Sequence, residues 1–150
     1  MDRIILLSLM MLGFLPVNAQ ETILGSWTSI DDQSGEERSH IRIYRNSQGE
    51  IEGRVTEVLS SPVPIDETVC QKCSRDDPRY KQPVEGMVVI TDMKASPDKK
   101  SARGGQILDP ESGREYGCIL TLTENGQKLK VRGFVGFKAL GRTQVWRRNN

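Results

Sequence analysis

Apolar residues in this chain recur mainly at every second position, in short runs separated by turn-forming residues, the signature of half-buried antiparallel strands. Ile41 and Ile43 alternate with Arg42 and Tyr44. Ile51, Val55 and Leu59 share a face, with Gly53 between them. Met87 to Met93 is an apolar-rich run that suits a well-buried strand. Tyr116, Cys118, Leu120 and Leu122 fall on one face and Gly117, Thr121 and Thr123 on the other, while Leu129, Val131 and Val135 alternate with Lys128, Lys130 and Arg132. Between these runs lie Asn46-Ser47-Gln48-Gly49, Asp109-Pro110-Glu111-Ser112-Gly113 and Glu124-Asn125-Gly126-Gln127, all turn chemistry, with Asn125-Gly126 the strongest hairpin signal. The pattern predicts an all-β fold of about eight strands. Helix is confined to a turn or two between Asp66 and Lys81 or near Ala139. So many short strands must hide their edges, and closure into an up-and-down barrel does so completely. A two-sheet sandwich is the alternative.

Two stretches break the alternation. Ser60 to Pro83 carries Pro62, Pro64, Pro78 and Pro83 together with Cys70 and Cys73, and Ala95 to Gly105 is rich in Lys, Ser and Gly. Both read as long loops, and a loop of the first one's length in a compact domain is usually functional or disordered.

The N-terminus has a different character. Arg3 precedes an apolar stretch from Ile4 to Leu15, Pro16 breaks it, and Val17-Asn18-Ala19 offers modest side chains to a peptidase. This is the layout of a cleaved secretory signal spanning residues 1–19. The apolar stretch falls well short of the roughly 20 residues needed to cross a bilayer core, and no cysteine near the cleavage point invites a lipid, so no stable membrane anchor is expected. The expected location is the periplasm or the exterior. Residues 20–150 suit one domain with a single core.

With 21 basic and 20 acidic residues, the chain has no electrostatic case for binding nucleic acid. Lys138, Arg142, Arg147 and Arg148 are explained by a solvated strand face.

The three cysteines admit several readings. A redox pair at Cys70-Gln71-Lys72-Cys73 would want its first Cys at a helix start behind a buried strand, whereas here proline and charge surround it. A zinc site needs four ligands, and beyond this pair there are only Cys118 and the lone histidine, His40. In an oxidising compartment one bridge plus one leftover thiol fits better. Alternation points Cys118 toward the core. The expectation is therefore a bond from Cys70 or Cys73 to Cys118 that clips the long loop onto the barrel; it would close about 45 residues and contribute roughly 4 kcal/mol. A Cys70–Cys73 bridge with Cys118 free would contradict it.

Catalytic machinery is hard to assemble. His40 opens a strand and reads as a strand-edge residue, and neither a Gly-x-Ser-x-Gly elbow nor a glycine-rich phosphate loop is present. The acidic pairs Asp31-Asp32, Glu36-Glu37, Asp66-Glu67 and Asp76-Asp77 sit in polar, turn-like stretches and read as solvated loops rather than calcium or carboxylate sites. No catalytic residue, metal site or cofactor is expected. Gly25-Ser26-Trp27, just after the signal, is more suggestive. In small up-and-down barrels an early Gly-x-Trp places an indole across the closed end, where an arginine of the last strand can cover it through cation–π contact. The last strand reads Arg142 to Arg147, so Arg142 or Arg147 is the expected cover. A generic core tryptophan explains Trp27 equally well.

These pieces together resemble the bacterial family catalogued as domain of unknown function 2147, exported proteins with a lipocalin-like barrel. The resemblance runs from Leu24 to Arg147. It is carried by Gly25-Ser26-Trp27, the Cys70 and Cys73 pair, Pro83 with Gly86, Gly104 to Pro110, Gly113 with Tyr116 and Cys118, Leu129 to Phe134, and Leu140 to Trp146. Ala102-Arg103 stand where family members often carry an aromatic residue. The resemblance implies an antiparallel lipocalin-like barrel and export, and transfers no catalytic residues. By fold analogy it implies a small apolar ligand, with Trp27, Tyr116, Arg132, Arg142 and Trp146 as candidate contacts. Such a barrel holds a small ligand or is filled by its own side chains, and Trp27, Ile41, Ile43, Val55, Tyr116, Leu120, Leu122, Val131 and Val135 are the expected interior residues. The competing reading is a structural or interaction module binding an envelope protein through the 60–83 loop or the basic final strand.

Overall fold

A computed structural model describes residues 21–137 and 140–149. The signal segment and the turn expected near Ala139 lie outside these residues. Eight strands run β1 Gly25–Ile30, β2 Glu37–Arg45, β3 Ile51–Val58, β4 Val88–Ala95, β5 Ser101–Asp109, β6 Arg114–Thr123, β7 Lys128–Phe134 and β8 Gly141–Arg148. Each pairs antiparallel with its sequence neighbour and β1 pairs β8, so the sheet closes as an up-and-down barrel. Among the described residues the one helical element is a 3-10 turn at Ile65–Glu67, and no helix is long and apolar enough to cross a membrane.

The up-and-down order puts two kinds of connection at two ends. At one end lie short hairpins at 46–50, 96–100 and 124–127 and the entry segment 21–24. Their turn chemistry satisfies the backbone locally: Asn46 Oδ1 accepts from Gln48 and Glu50 amides at 3.1 and 2.9 Å, and Asp98 Oδ1 accepts from the Lys100 amide at 3.0 Å. At the other end lie 31–36, the long 59–87 connection, 110–113 and, after β7, residues 135–137.

Period-two alternation fills the hairpin end. Ile23, Trp27, Ile51, Met93, Leu120 and Leu129 are all completely buried there. Trp27 is the centrepiece of this floor: its Nε1 donates to the Ile23 carbonyl at 2.9 Å, and the guanidinium of Arg148 sits 4.2 Å from the ring centroid. The expected cation–π lid is present, but its donor is Arg148 rather than Arg142 or Arg147. Register explains the difference. Trp27 pairs directly with Arg148, Arg147 faces outward toward Glu37 at 2.5 Å, and Arg142 lies on the inward face at the far end of β8. Arg148 also donates to the carbonyls of Thr22 and Leu24 at 2.6 and 3.1 Å and to Gly126, so one side chain ties the entry segment, the last hairpin and the indole together.

Several other expectations are corrected. Ala95 to Gly105 is not a long loop: the chain turns within 96–100 and Ser101 already starts β5. Leu59 leaves the strand face, because an extra residue in β3 shifts the register against β2 and makes Val58 the buried position. Val135 lies past the end of β7 and is 62% exposed. His40 lies within β2 and not at an edge, its Nδ1 at 2.9 Å from Glu57 Oε2 of the neighbouring strand.

The cysteines also differ from expectation. Cys70 and Cys73 are bonded to each other, and Cys118 is free and fully buried. Cys118 does face the interior, but the loop that carries the pair packs on the outside of the wall. Arg79 of that loop bonds Glu115, the partner of Leu108 across β5 and β6, and Leu108 is only 3% exposed. The pair is therefore closed within its own loop, and Cys118 stays unbonded in the interior. A ring this small constrains the unfolded chain by only about 2 kcal/mol on chain-entropy arithmetic. Reduction is thus expected to leave the barrel folded, with a modest loss in denaturant midpoint. Burial pushes the Cys118 thiol up to about 12, so a native alkylation and peptide-mapping experiment should find Cys118 unmodified before and after reduction.

Candidate functional site: a cavity at the open end

Above the packed floor, the interior is not filled. A cavity of about 1210 Å³ opens at the long-loop end, at or above the roughly 300–1,000 Å³ of ordinary small-ligand sites. The reason lies in side-chain size along the inward faces. Above Trp146, β7 and β8 present Val131, Gly133 and Gln144, β1 presents Ser29, and β2 presents Ile41 and Ser39. These side chains, Gly133 with none, are too short to meet across the barrel.

The wall mixes apolar and uncharged polar residues. Val55, Val58, Val89, Ile107 and Val131 supply its apolar part. Ser29, Ser39 and Gln144 supply a polar strip on β1, β2 and β8, with Ser39 beside Val58 and Gln144 beside Val131, and Tyr116 stands next to Ile107. The polar groups are partly spoken for: Ser29 and Ser39 hydroxyls are 2.8 Å apart, and Gln144 Oε1 accepts from Trp146 Nε1 at 2.9 Å. Gln144 and Tyr116 both line the cavity. At the rim, the backbone of Lys72 and Cys73 packs so tightly on the 110–113 turn that a Cβ at Gly113 would lie 2.0 Å from the Lys72 carbonyl oxygen. This contact fixes the disulfide loop beside the mouth.

Charge is confined to the mouth. Arg142 bonds both Asp31, at 3.0 Å, and Asp32. Arg38 bonds Glu36 and Glu111 at 3.2 and 2.7 Å. The Asp31 carboxylate falls from its ordinary 3.8 to about 2, chiefly because the Ser34 amide and hydroxyl donate to it, with help from Gln33 and Arg142. Hydrogen bonding by Arg142 likewise lowers Asp32. Because the folded-state value of Asp31 lies below the ordinary one, its contribution is complete above about pH 4 and is lost as pH falls toward 2. Thermal stability is expected to fall across that window, and an Asp31→Asn variant, already lacking the contribution, should show a shallower fall between pH 5 and 2.5.

Of the residues anticipated as ligand contacts, the structure brings Tyr116, Trp146 and Arg142 to the cavity or its mouth. Trp27 lies beneath it in the floor. Arg132 is on the outer face of β7, donating to Thr143 at 3.1 Å. The acidic pair Asp31-Asp32 lies in a solvated turn, as expected, and there it also clamps Arg142. Ser29, Ser39 and Gln144 were not anticipated; their only sequence signal is parity, since Ser29 and Gln144 each lie two residues from an inward tryptophan. Among the described residues no group of His, Cys, Asp and Glu could hold a metal ion.

Comparison with the curated proteins finds no match. Among solved structures the chain is similar to protein HP1028 from Helicobacter pylori, described as belonging to the lipocalin family, with a TM-score of 0.67 and 16% identity over 85% of this chain and 82% of that one. At that identity the likeness establishes the fold, an eight-stranded lipocalin-like barrel. A family model described as an uncharacterized protein conserved in bacteria matches residues 25–148, from the first residue of β1 to the last of β8, and the chain therefore belongs to the DUF2147 family.

Proposed function

We propose that this is an exported binding protein that carries a small, largely apolar molecule in the open half of its barrel. The observation that carries the reading is the 1210 Å³ cavity above a floor that is itself fully packed. A barrel using its interior only for stability would continue the floor's large side chains upward, since an unfilled volume forfeits packing energy. Here Gly133, Ser29, Ser39 and Val131 leave the space open. No bond is made or broken in this role. Export is supported by the signal-like residues 1–19 and by the Cys70–Cys73 disulfide, a bond that persists in oxidising compartments.

Native mass spectrometry of protein purified from its own source tests the reading. An adduct released on unfolding is expected. A bare mature mass, together with no thermal shift across a lipid and hydrophobe panel, would refute it.

A further inference from the structure

The charges at the mouth say which apolar molecules enter. Five carboxylates line the cavity and its rim, Asp31, Glu36, Glu67, Asp109 and Glu111, against three described cations, Arg38, Lys72 and Arg142. Both arginines are already held, each by two carboxylates. Among the described lining residues Lys72 is the remaining cation. Deeper in, every polar group is uncharged: Ser29, Ser39, Gln144 and Tyr116.

We infer that the cavity selects neutral or cationic amphiphiles and discriminates against anionic lipids such as fatty acids. The inference rests on the cavity being a ligand site and adds the sign of the ligand to it. A carboxylate headgroup at the mouth would meet a surplus of negative charge, and to reach Arg142 it would have to displace Asp31 or Asp32 from a bonded pair. Asp31 is further anchored by Ser34 and Gln33, at 2.8 and 3.1 Å from their amides, so displacement also breaks the turn. A carboxylate carried past the mouth would be buried among hydroxyls and an amide with no cation, which is costly. An alcohol or ester loses nothing at the mouth and finds donors and acceptors within; an alkylammonium gains from the surplus.

Displacement of the neutral fluorophore N-phenyl-1-naphthylamine by decanol, decylamine and decanoic acid at neutral pH tests this. Decanol and decylamine are expected to compete at least about tenfold better than decanoic acid, with the gap between amine and acid narrowing as salt is raised. In the Asp31→Asn/Asp32→Asn variant, Arg142 is released and the acid should gain about tenfold relative to the alcohol. Equal or better competition by the acid in the parent protein, or a gap indifferent to salt, overturns the inference while leaving the cavity a binding site. If neither the fluorophore nor any of the three binds, the proposed function falls and the selectivity falls with it.

Discussion

Replacing Trp27 with alanine is expected to cost about 3–5 kcal/mol, the largest loss of any single substitution in the barrel. The indole is completely buried, and its removal opens a cavity in the one region of the interior that is packed. It also deprives the Ile23 carbonyl of its donor and leaves Arg148 without the ring it covers. Burial already disfavours the charge on Arg148, so its loss of a π partner is not offset by solvent. Chemical denaturation measures the effect. An Arg148→Ala variant should fall in the same direction, because three carbonyls lose a charged donor, whereas Arg147→Ala, which removes an exposed pair with Glu37, should shift stability by less than about 1 kcal/mol. Equal effects at the two arginines would contradict the assignment of the lid.

Gly105→Ala is the second large effect, at about 3 kcal/mol, and it contrasts with its neighbour. A Cβ at Gly105 would lie 2.0 Å from the Thr91 carbonyl oxygen and 2.7 Å from the Met93 nitrogen, so β4 and β5 would have to separate in the middle of a closed sheet. Overpacking against backbone has no flexible side chain to absorb it. Gly104 has the opposite problem: nothing lies within 4 Å of its would-be Cβ, but its φ is +86°, a conformation that costs an L-residue about 1–2 kcal/mol. Gly104→Ala should therefore be the milder variant, and thermal unfolding of the two should rank them in that order.

The same pair shows why β5 escaped the reading of the sequence. A strand is legible when its inward residues are large and apolar, as with Ile41 and Ile43 or Leu129 and Val131. In Ser101 to Gly105 the interior positions are Ala102 and Gly105, the latter without a side chain because β4 runs so close, and a bulge at Gly104 breaks the period. The stretch has the composition of a loop for a packing reason. Trp27 at the closed end was legible because its size and its place at the start of the first strand both point inward. Its partner was not, because assigning it needs the β1–β8 register to a single residue, and reading the last strand as ending at Arg147 stops one position short. Cys118 was rightly placed in the interior, but the side of the wall on which the 60–83 loop lies is a tertiary fact that no local pattern carries. The cavity was hardest of all. It consists of what the inward positions lack, and Ser29, Ser39 and Gln144 read as ordinary polar strand residues until closure of the barrel turns them inward.

The account rests on a barrel divided into a filled floor and an open, ligand-accepting half, and the two tryptophans of the chain report on one half each. Indole resonances in a ¹H–¹⁵N spectrum, assigned with Trp27→Phe and Trp146→Phe variants, should respond unequally to titration with decanol. The account predicts that Trp146, whose Nε1 is bonded to Gln144 on the cavity wall, shifts in a saturable manner while Trp27 stays fixed beneath Arg148. A saturable shift of Trp27 with Trp146 unmoved, or no response from either, would contradict it.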